Sequence, residues 1–252
     1  MRFDGKVCLV TGAGSGIGRA TAIGFAQRGA KVAVSDVDGN NAEAVTSEIA
    51  SAGGIAMSVV ADMANPADID AMVGQTMRSH GRIDVLHNNA FGVPQALRDR
   101  RLARVADTDQ AVWDYTIQVG LTAVMQATKA VLPIMRAQGG GAIVNTASIS
   151  GLFADYGITS YNVMKAGVVN LTRGTAIEYA PYNIRCNCVC PGAIDTPLLQ
   201  RSSRLPGSPR RCRQRSRSAG SVAPRRWPTS CCSSPPTSPL MSQVRRSSLM
   251  AA

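Results

Sequence analysis

The first 200 residues of this 252-residue chain alternate short apolar runs with helical segments. The run "KVCLVTG" ends in glycine, and "GIGRATAIGFAQRG" after it has helical periodicity. Further β-branched runs follow as "AKVAVSD", "GIAMSVVAD", "IDVLHNNA", "GAIVNTAS" and "NIRCNCVCPG". A repeated strand–helix–strand pattern predicts an α/β fold, a doubly wound parallel sheet of the Rossmann type with right-handed crossovers and helices on both faces. Ligands of such sheets bind at the carboxyl ends of the strands.

The ends of the first two predicted strands carry residues suited to a dinucleotide. "TGAGSGIG", Thr11 to Gly18, follows the first strand and opens the first helix. Glycines there let the backbone approach a pyrophosphate, and a helix N-terminus favours its negative charge. Asp36 closes the second strand, where a carboxylate accepts hydrogen bonds from a ribose and repels a 2′-phosphate. This favours NAD over NADP, the alternative being a turn aspartate ahead of "VDGNN".

A second group of polar residues lies in "NTASISGLFADYGITSYNVMK", residues 145 to 165. Tyr161 and Lys165 are four positions apart, so on a helix they share one face. Ser148 precedes the tyrosine by thirteen positions. The spacing alone is also found in ordinary surface helices. Its position after the fifth predicted strand, at the same sheet edge as the glycine loop, favours a proton-transfer site.

Six motifs in order, each at a strand end, resemble those of the short-chain dehydrogenase/reductase family. They are "TGAGSGIG", Asp62 after the third strand, "NNA" at 88 to 90, Ser148, "YNVMK" and "CPGAIDTP" at 190 to 197. The likeness runs from Lys6 to about Leu199.

The resemblance implies an NAD-dependent oxidoreductase that interconverts a secondary alcohol and a ketone. Tyr161 would be the acid/base, Lys165 would lower the tyrosine pKa and bind the ribose, and Ser148 would orient the substrate oxygen. Family members are homodimers or homotetramers. The cofactor-binding residues implied by the resemblance are Gly12, Ser15, Gly16, Ile17, Gly18, Asp36, Asp62, Met63, Asn88, Ala90, Tyr161, Lys165, Pro191, Gly192, Ile194 and Thr196.

Two positions near these motifs depart from the family pattern. Gly120 stands in "WDYTIQVGLTAVMQATKAVLP" where the family usually has an asparagine that supports a proton relay. Glycine keeps the backbone carbonyl but loses the side chain, so we expect slower turnover. Phe91 replaces the glycine that commonly follows "NNA". A cofactor-binding protein with weak catalysis therefore remains an alternative. The polar stretch after Phe91 is interpreted as a solvated loop or as part of the substrate cleft.

Composition bears on the compartment and on metal binding. The seven cysteines form no pair of C-x-x-C motifs, and Cys186, Cys188 and Cys190 alternate as strand residues do, so we expect structural thiols and no metal site. No run of about 18 apolar residues and no signal-peptide pattern is recognised. The sequence thus predicts a soluble cytoplasmic protein without a membrane partner.

The net charge of +11 comes entirely from residues 201 to 252. Residues 1 to 200 hold 16 basic and 16 acidic residues, whereas the tail has eleven Arg, thirteen Ser, seven Pro and no acid. We therefore predict a dehydrogenase domain over 1–199 and an irregular basic tail over 200–252. One interpretation of the tail is a disordered segment that contacts nucleic-acid phosphates, giving a nucleic-acid-binding alternative for the protein.

A second interpretation of the tail is a slipped reading frame. Codons read from the third base convert Trp227–Pro228 to alanine and Met250–Ala251 to glycine, and permitted codon choices yield "PLGRLGRPEEVA", "LLFLASD" and "VVDGG". Those strings resemble the family's usual ending, so we expect a slip between Leu199 and Ser216. The chain would then lack the last strand of the family, with impaired stability and oligomerisation. Resequencing the gene, and gel filtration against a frame-restored protein, test this hypothesis.

Overall fold

The computed structural model describes residues 2–92 and 102–197. All of them belong to one compact unit, Met1–Arg204. The predictions for the basic tail, the reading frame and the last family strand, and most of the stretch after Phe91, fall outside the described residues.

The described residues form six parallel strands in one sheet, in the order β3-β2-β1-β4-β5-β6. The predicted doubly wound fold is confirmed, since each apolar run of the sequence is a strand. Val7–Thr11, buried along its whole length, pairs with the strands on both sides. The strands are β1 Val7–Thr11, β2 Lys31–Asp36, β3 Ile55–Val60, β4 Val85–Asn88, β5 Gly141–Thr146 and β6 Ile184–Val189.

In the part of the chain that the structure describes, six α-helices connect and flank the strands. They are α1 Gly16–Ala26, α2 Gly39–Ser51, α3 Pro66–His80, α4 Gln110–Ile117, α5 Ala123–Ala137 and α6 Thr159–Tyr179. A π-helical turn, Gln118–Thr122, joins α4 to α5 and contains Gly120. Short 3-10 turns lie at Val105–Asp107, Ile149–Gly151 and Ala180–Tyr182.

The side chains of β1 alternate between two apolar clusters, one on each face of the sheet. Leu9 packs in the cluster that also holds residues of α3 and α5, such as Ile69 and Val131. Cys8 and Val10 point the other way, into a cluster shared with α1 and α2. This follows from the two-residue period of a strand. Helices therefore cover both faces, as the near-continuous apolar strand sequences predict.

The strand order reverses between β1 and β4. The chain builds β2 and β3 on one side of β1, and then β4, β5 and β6 on the other. The carboxyl ends of β1 and β4 therefore border a crevice, which is where open α/β sheets bind their ligands.

The continuous helical stretch Gln110–Ala137 is long and apolar enough to span a membrane by length and composition. Several of its apolar residues are core residues in this fold, although Met125 is 40% exposed. Ala127 and Val131, for example, are fully buried in the cluster beneath the sheet. Core helices of this kind pass the same test as membrane spans, so the finding is weak evidence for a span.

Candidate active site

The glycine loop after β1 is packed too tightly for side chains. Gly12 has φ +62°, and a Cβ on it would lie 2.7 Å from Cα of Ala90. A Cβ on Gly18 would overlap the carbonyl oxygen of Gly12 and lie 2.6 Å from Nδ2 of Asn89. Glycine at these positions therefore lets the loop fold back against β4 and brings the backbone itself to the crevice.

The first helix begins without a side-chain cap. Ser15 is the N-cap residue of α1, but its hydroxyl accepts no backbone hydrogen bond from the helix. By contrast, the aspartate and asparagine caps of the next three helices accept N–H groups, namely Asp38 in α2, Asn65 in α3 and Asp109 in α4. The first turn of α1, which contains Gly16, Ile17 and Gly18, therefore presents its partial positive charge without a competing side chain.

Asp36 lies at the end of β2 and holds the glycine loop. One carboxylate oxygen accepts the N–H of Gly14 at 2.8 Å, and the other accepts the N–H of Asp38 at 3.1 Å. Each carboxylate oxygen has a second lone pair, so both can still accept a ribose hydroxyl. The structure thus gives Asp36 a local structural role as well as the predicted position beside the loop.

Asn89 is hydrogen-bonded to the same loop. It was not among the residues predicted from the sequence. Its side-chain amide donates to the carbonyl oxygens of Thr11 and Gly12, both at 3.1 Å. The Thr11 hydroxyl in turn accepts the backbone N–H groups of Asn89 and Ala90. The "NNA" motif contains two asparagines, so the sequence could have indicated either one. In the structure the side chain of the second, Asn89, reaches the glycine loop.

The side chain of Asn88 points into the core. It is 3% exposed and donates to Oδ1 of Asn145 at 2.9 Å and to Oγ1 of Thr128 at 3.2 Å. It therefore ties β4 to β5 and α5. The side chain alternates away from the cleft because Asn88 is still within the strand. Only its backbone remains a predicted cofactor contact.

Asp62 and Met63 follow β3 at the same edge of the sheet. Asp62 is exposed, and its carboxylate accepts the N–H of Ala64 at 2.8 Å. The Met63 side chain is 7% exposed and belongs to the core. Any contact of Met63 with a cofactor would therefore come from its backbone.

The structure brings Ser148, Tyr161 and Lys165 together. Ser148 lies just beyond β5, and the other two lie on the first turns of α6. Ser148 is near enough to Tyr161 to lower the pKa of its phenol. Nζ of Lys165 lies 5.7 Å from the centroid of the Tyr161 ring and donates to the carbonyl oxygen of Thr146 at 2.6 Å. The predicted convergence at one sheet edge is therefore observed.

Burial controls the ionisation of both α6 residues. It raises the pKa of Tyr161, the nearby Asp155 raises it further, and the hydrogen bond from Ser148 opposes both. Burial lowers the pKa of Lys165 to about 8. Without a bound cofactor the pKa of Tyr161 is raised overall, and the lowering expected from Lys165 and the nicotinamide together stays a prediction. The ammonium group is bound to a backbone carbonyl, and desolvation of the phenolate dominates.

Phe91 packs against the same residues. Its ring meets that of Tyr161 edge-on, with centroids 5.3 Å apart, and Nζ of Lys165 lies 5.4 Å from its centroid. An aromatic ring near a buried ammonium is attracted to it and excludes water from it. The residue that replaces the family glycine therefore shields the lysine.

Gly120 lies beside α6, and Met164 fills the space next to it. A Cβ on Gly120 would lie 2.6 to 2.7 Å from Sδ, Cε and Cγ of Met164, which is fully buried. The volume into which the usual asparagine side chain would extend is thus occupied by a methionine. The two positions compensate each other in size.

The segment after β6 lies along the other border of the crevice. The carbonyl of Pro191 accepts the N–H of Ile149 at 3.1 Å, which fixes the segment beside Ser148. Thr196 reaches the glycine loop, because a Cβ on Gly16 would lie 3.3 Å from its Cγ2. Gly192 and Ile194 are exposed between these two anchors. All four predicted residues therefore lie on the site side of the sheet.

Two cysteines of β6, and a third directly after it, lie near the site. Cys186 is buried in the core, while Cys188 and Cys190 are partly buried, and all three are free thiols. Within residues 2–92 and 102–197 there is no group of three or more His, Cys, Asp or Glu that could hold a metal ion.

Comparisons with known proteins agree with this arrangement. A family model described as short chain dehydrogenase matches residues 6–205. The chain is 41% identical over 201 residues to 3-oxoacyl-(acyl-carrier-protein) reductase of Thermotoga maritima, covering 80% of this chain and 79% of that one. It is 42% identical to cyclohexanol dehydrogenase of an Acinetobacter strain, with 79% and 76% covered.

Two solved structures have the same fold over most of their length. The crystal structure of levodione reductase aligns with a TM-score of 0.75 at 38% identity, covering 80% of this chain and 76% of that one. A 7α-hydroxysteroid dehydrogenase complexed with NADH and 7-oxo glycochenodeoxycholic acid aligns with a TM-score of 0.75 at 33% identity, covering 81% and 77%. With its six-strand sheet, glycine loop and clustered Ser148, Tyr161 and Lys165, this chain belongs to the short-chain dehydrogenase family of oxidoreductases.

Proposed function

We propose that this protein interconverts a secondary alcohol and a ketone with NAD as cofactor, in the cytoplasm. The observation that carries the proposal is the convergence of three side chains beside the crevice. Ser148 lies beside Tyr161 and lowers the pKa of its phenol, and Nζ of the buried Lys165 lies 5.7 Å from the centroid of the same ring. These groups have the chemistry needed to move a proton at a substrate oxygen.

Each residue of this group has a distinct task. In the oxidation direction, the Tyr161 oxygen takes the hydroxyl proton of the alcohol, and in the reduction direction it returns a proton to the carbonyl oxygen. The Ser148 hydroxyl holds the substrate oxygen next to the phenol. Lys165 places a positive charge behind the ring, which favours the phenolate once the site is closed to water. NAD, when bound, accepts or supplies the hydride.

The residues present fit a dinucleotide. The glycine loop is a cradle that a Cβ would fill at Gly12 or Gly18, and the first turn of α1 has no side-chain cap to compete with a phosphate. Asp36 supports NAD over NADP, because its carboxylate would lie close to a 2′-phosphate and repel it. Thr196 lies across from Gly16 and would close over the phosphates.

The names of several relatives favour an alcohol or ketone substrate. They include cyclohexanol dehydrogenase, levodione reductase and 7α-hydroxysteroid dehydrogenase, beside the 3-oxoacyl-(acyl-carrier-protein) reductase. Cyclohexanol is a cyclic secondary alcohol, so cyclic secondary alcohols are among the first compounds to test.

The test is a panel of cyclic and acyclic secondary alcohols, assayed with NAD and with NADP in parallel. We expect NAD-dependent formation of NADH with at least one alcohol, and its loss in Tyr161→Phe. If the wild-type protein reduces no cofactor with any alcohol and oxidises none with the matching ketones, the proposal is wrong.

Two observations favour a second candidate, a cofactor-binding protein with weak catalysis. Met164 occupies the space beside Gly120, and Phe91 shields Lys165. Both remove room for water next to the lysine. Enhancement of NADH fluorescence on binding, without turnover of the panel, would support this candidate.

A further inference from the structure

His87 is a buried titratable residue that the proposed function does not use. It lies on β4 and is 3% exposed. In the strand pairing His87 lies opposite Val144 of β5, so Thr146, two residues further along, projects from the same face of the sheet. Nε2 of His87 lies 2.9 Å from Oγ1 of Thr146. Thr146 is the last residue of β5, so this contact lies at the edge of the sheet that borders the crevice.

Thr146 is bonded to both sides of the site. Its hydroxyl donates to Oδ1 of Asn89 at 3.3 Å. The Asn89 amide in turn donates to the carbonyl oxygens of Thr11 and Gly12, both at 3.1 Å, where the glycine loop begins. The backbone carbonyl of Thr146 accepts the ammonium group of Lys165 at 2.6 Å. One residue therefore joins the glycine loop to the buried lysine.

The proton positions along this series follow from the Asn89 amide. Its nitrogen faces two carbonyl oxygens, which only accept, so its oxygen is the end that faces Thr146. Thr146 has a single hydroxyl proton and donates it to Asn89, so it can bond to His87 only by accepting. His87 must then carry its hydrogen on Nε2. The other neutral tautomer would place two lone pairs against each other.

The surroundings of His87 agree with this tautomer. Nδ1 has no hydrogen-bond partner among residues 2–92 and 102–197, so a proton there would be buried without an acceptor. Burial also lowers the pKa of His87 to about 4. The imidazole is therefore neutral at physiological pH and is a hydrogen-bond donor of fixed direction.

We propose that His87 and Thr146 are positioning residues that hold the glycine loop and Lys165 in one fixed arrangement. His87 donates to Thr146, whose hydroxyl orients the Asn89 amide and whose carbonyl orients the ammonium group. Binding of a dinucleotide at the glycine loop should thus change the environment of His87, a side chain too buried to touch the cofactor. The inference rests on the proposed function for the identity of the cofactor, whereas the hydrogen-bond directions do not depend on it.

The first test is nitrogen-15 NMR of the full chain labelled at histidine. The chain has two histidines, so His80→Gln assigns the signals of His87. We expect the Nε2–H tautomer, still neutral at about pH 6, where an unperturbed histidine is mostly charged. Addition of NADH should shift the His87 signals but not those of His80, which ends α3 ahead of the start of β4. A hydrogen on Nδ1, or His87 signals that bound NADH leaves unchanged, would overturn the proposal.

The second test removes the hydroxyl of Thr146. Thr146→Val keeps the shape of the side chain but leaves His87 and Asn89 without this partner. We expect NADH to bind about tenfold more weakly, kcat to fall several-fold and the NADH-induced shift of His87 to disappear. Thr146→Ser keeps the hydroxyl and should restore all three. Thr76→Val, which removes a buried hydroxyl that donates to the carbonyl of Met72 in α3, is the matched control.

A comparison of paired variants separates this link from general destabilisation. Glutamine and methionine have the same length, and only glutamine has an N–H, so His87→Gln should retain NADH affinity and His87→Met should lose part of it. Added to Thr146→Val, His87→Met should weaken binding no further, because the connection to the loop is already broken. Additive losses would contradict the proposal. A wild type that binds NADH but oxidises no alcohol would refute the proposed reaction alone, and one that binds no NADH would refute both.

Discussion

The two sides of the crevice are built in different ways. The nucleotide wall, formed by Thr11–Gly18, Asp36 and Asn89, is held largely by contacts to backbone atoms. The reaction wall, formed by Ser148–Lys165 with Phe91 and Gly120, is held by side chains that bond and pack against one another. Departures from the family pattern occur in the reaction wall.

This difference has a physical cause. Where a Cβ would lie within 3 Å of a neighbouring backbone, as at Gly12 and Gly18, there is no room for a side chain, so the residue types are strictly limited. Side chains that touch only side chains can change in pairs, as Gly120 and Met164 show. Cofactor binding and chemistry should therefore respond separately to substitution, with one wall controlling affinity and the other controlling turnover.

The largest effect is expected from removing the phenol of the reaction wall. Tyr161→Phe should lower kcat by roughly 1000-fold, within the range measured for acid–base groups, while the NADH affinity stays within about threefold of wild type. Tyr156→Phe, which changes an 87% exposed tyrosine five residues earlier, is the matched control. An equal loss of NADH affinity in Tyr161→Phe would show that the two walls are not separable.

The next effect is expected from the nucleotide wall. Gly18→Ala should weaken NADH binding by about 100-fold, because the methyl group would meet the rigid backbone of Gly12 and overpacking of this kind costs about 3 kcal/mol. Gly24→Ala lies on the same helix, where a Cβ would be 3.5 Å from the guanidinium end of Arg28, an ordinary van der Waals distance. That variant should bind NADH normally and unfold at a higher temperature. Fluorescence titration and thermal melting measure both, and tight NADH binding by Gly18→Ala would contradict the steric argument.

A smaller change is expected for cofactor choice. Asp36→Asn keeps an acceptor for the N–H of Gly14 but removes the charge. We expect NADH affinity to fall about tenfold, since hydrogen bonds to charged groups contribute roughly 1.5–3 kcal/mol, and NADPH affinity to rise. Asp38→Asn removes a charge two residues away and keeps the helix cap, because both residue types are good caps. Equal effects of the two substitutions on the NADH/NADPH ratio would exclude a direct role for Asp36.

The smallest effect is expected at the pair Gly120 and Met164. Gly120→Asn alone should destabilise the fold by about 1–3 kcal/mol, because Met164 occupies the space that the new side chain needs. Gly120→Asn with Met164→Ala should recover stability and increase kcat a few-fold. Chemical denaturation and steady-state kinetics on the single and double variants test this. A double variant with unchanged kcat would mean that the asparagine does not limit this protein.

The parts of the site that sequence analysis predicts are those that depend on backbone geometry. The apolar runs, the glycine loop and the position of Ser148, Tyr161 and Lys165 at one sheet edge all follow from strand and helix periodicity. Gly120 is also recognisable from the sequence as unusual. That Met164 fills the space of the usual asparagine side chain is visible only in the structure, since the two residues are 44 positions apart and meet only through packing.

The structure differs from the sequence-based expectations where a side chain could point either into the core or into the crevice. Asn88 and Asn89 are adjacent, and only the observed end of β4 decides that the second one reaches the glycine loop. The sequence also suggested that Lys165 lowers the pKa of Tyr161. Burial of the phenol opposes this in the folded protein, and the extent of burial depends on Phe91 and on the whole cluster around α6.

Because the N-cap side chain of α1 accepts no N–H group, hydrogen exchange at the start of this helix should report whether an anionic ligand is bound there. Peptide amides at a helix start exchange their hydrogens with solvent quickly when the N-cap side chain does not accept them. The starts of α2, α3 and α4 each carry an accepting side chain, so they provide internal references within the same molecule. Slowed exchange confined to the start of α1 would thus locate an anionic ligand without any assay of its chemistry.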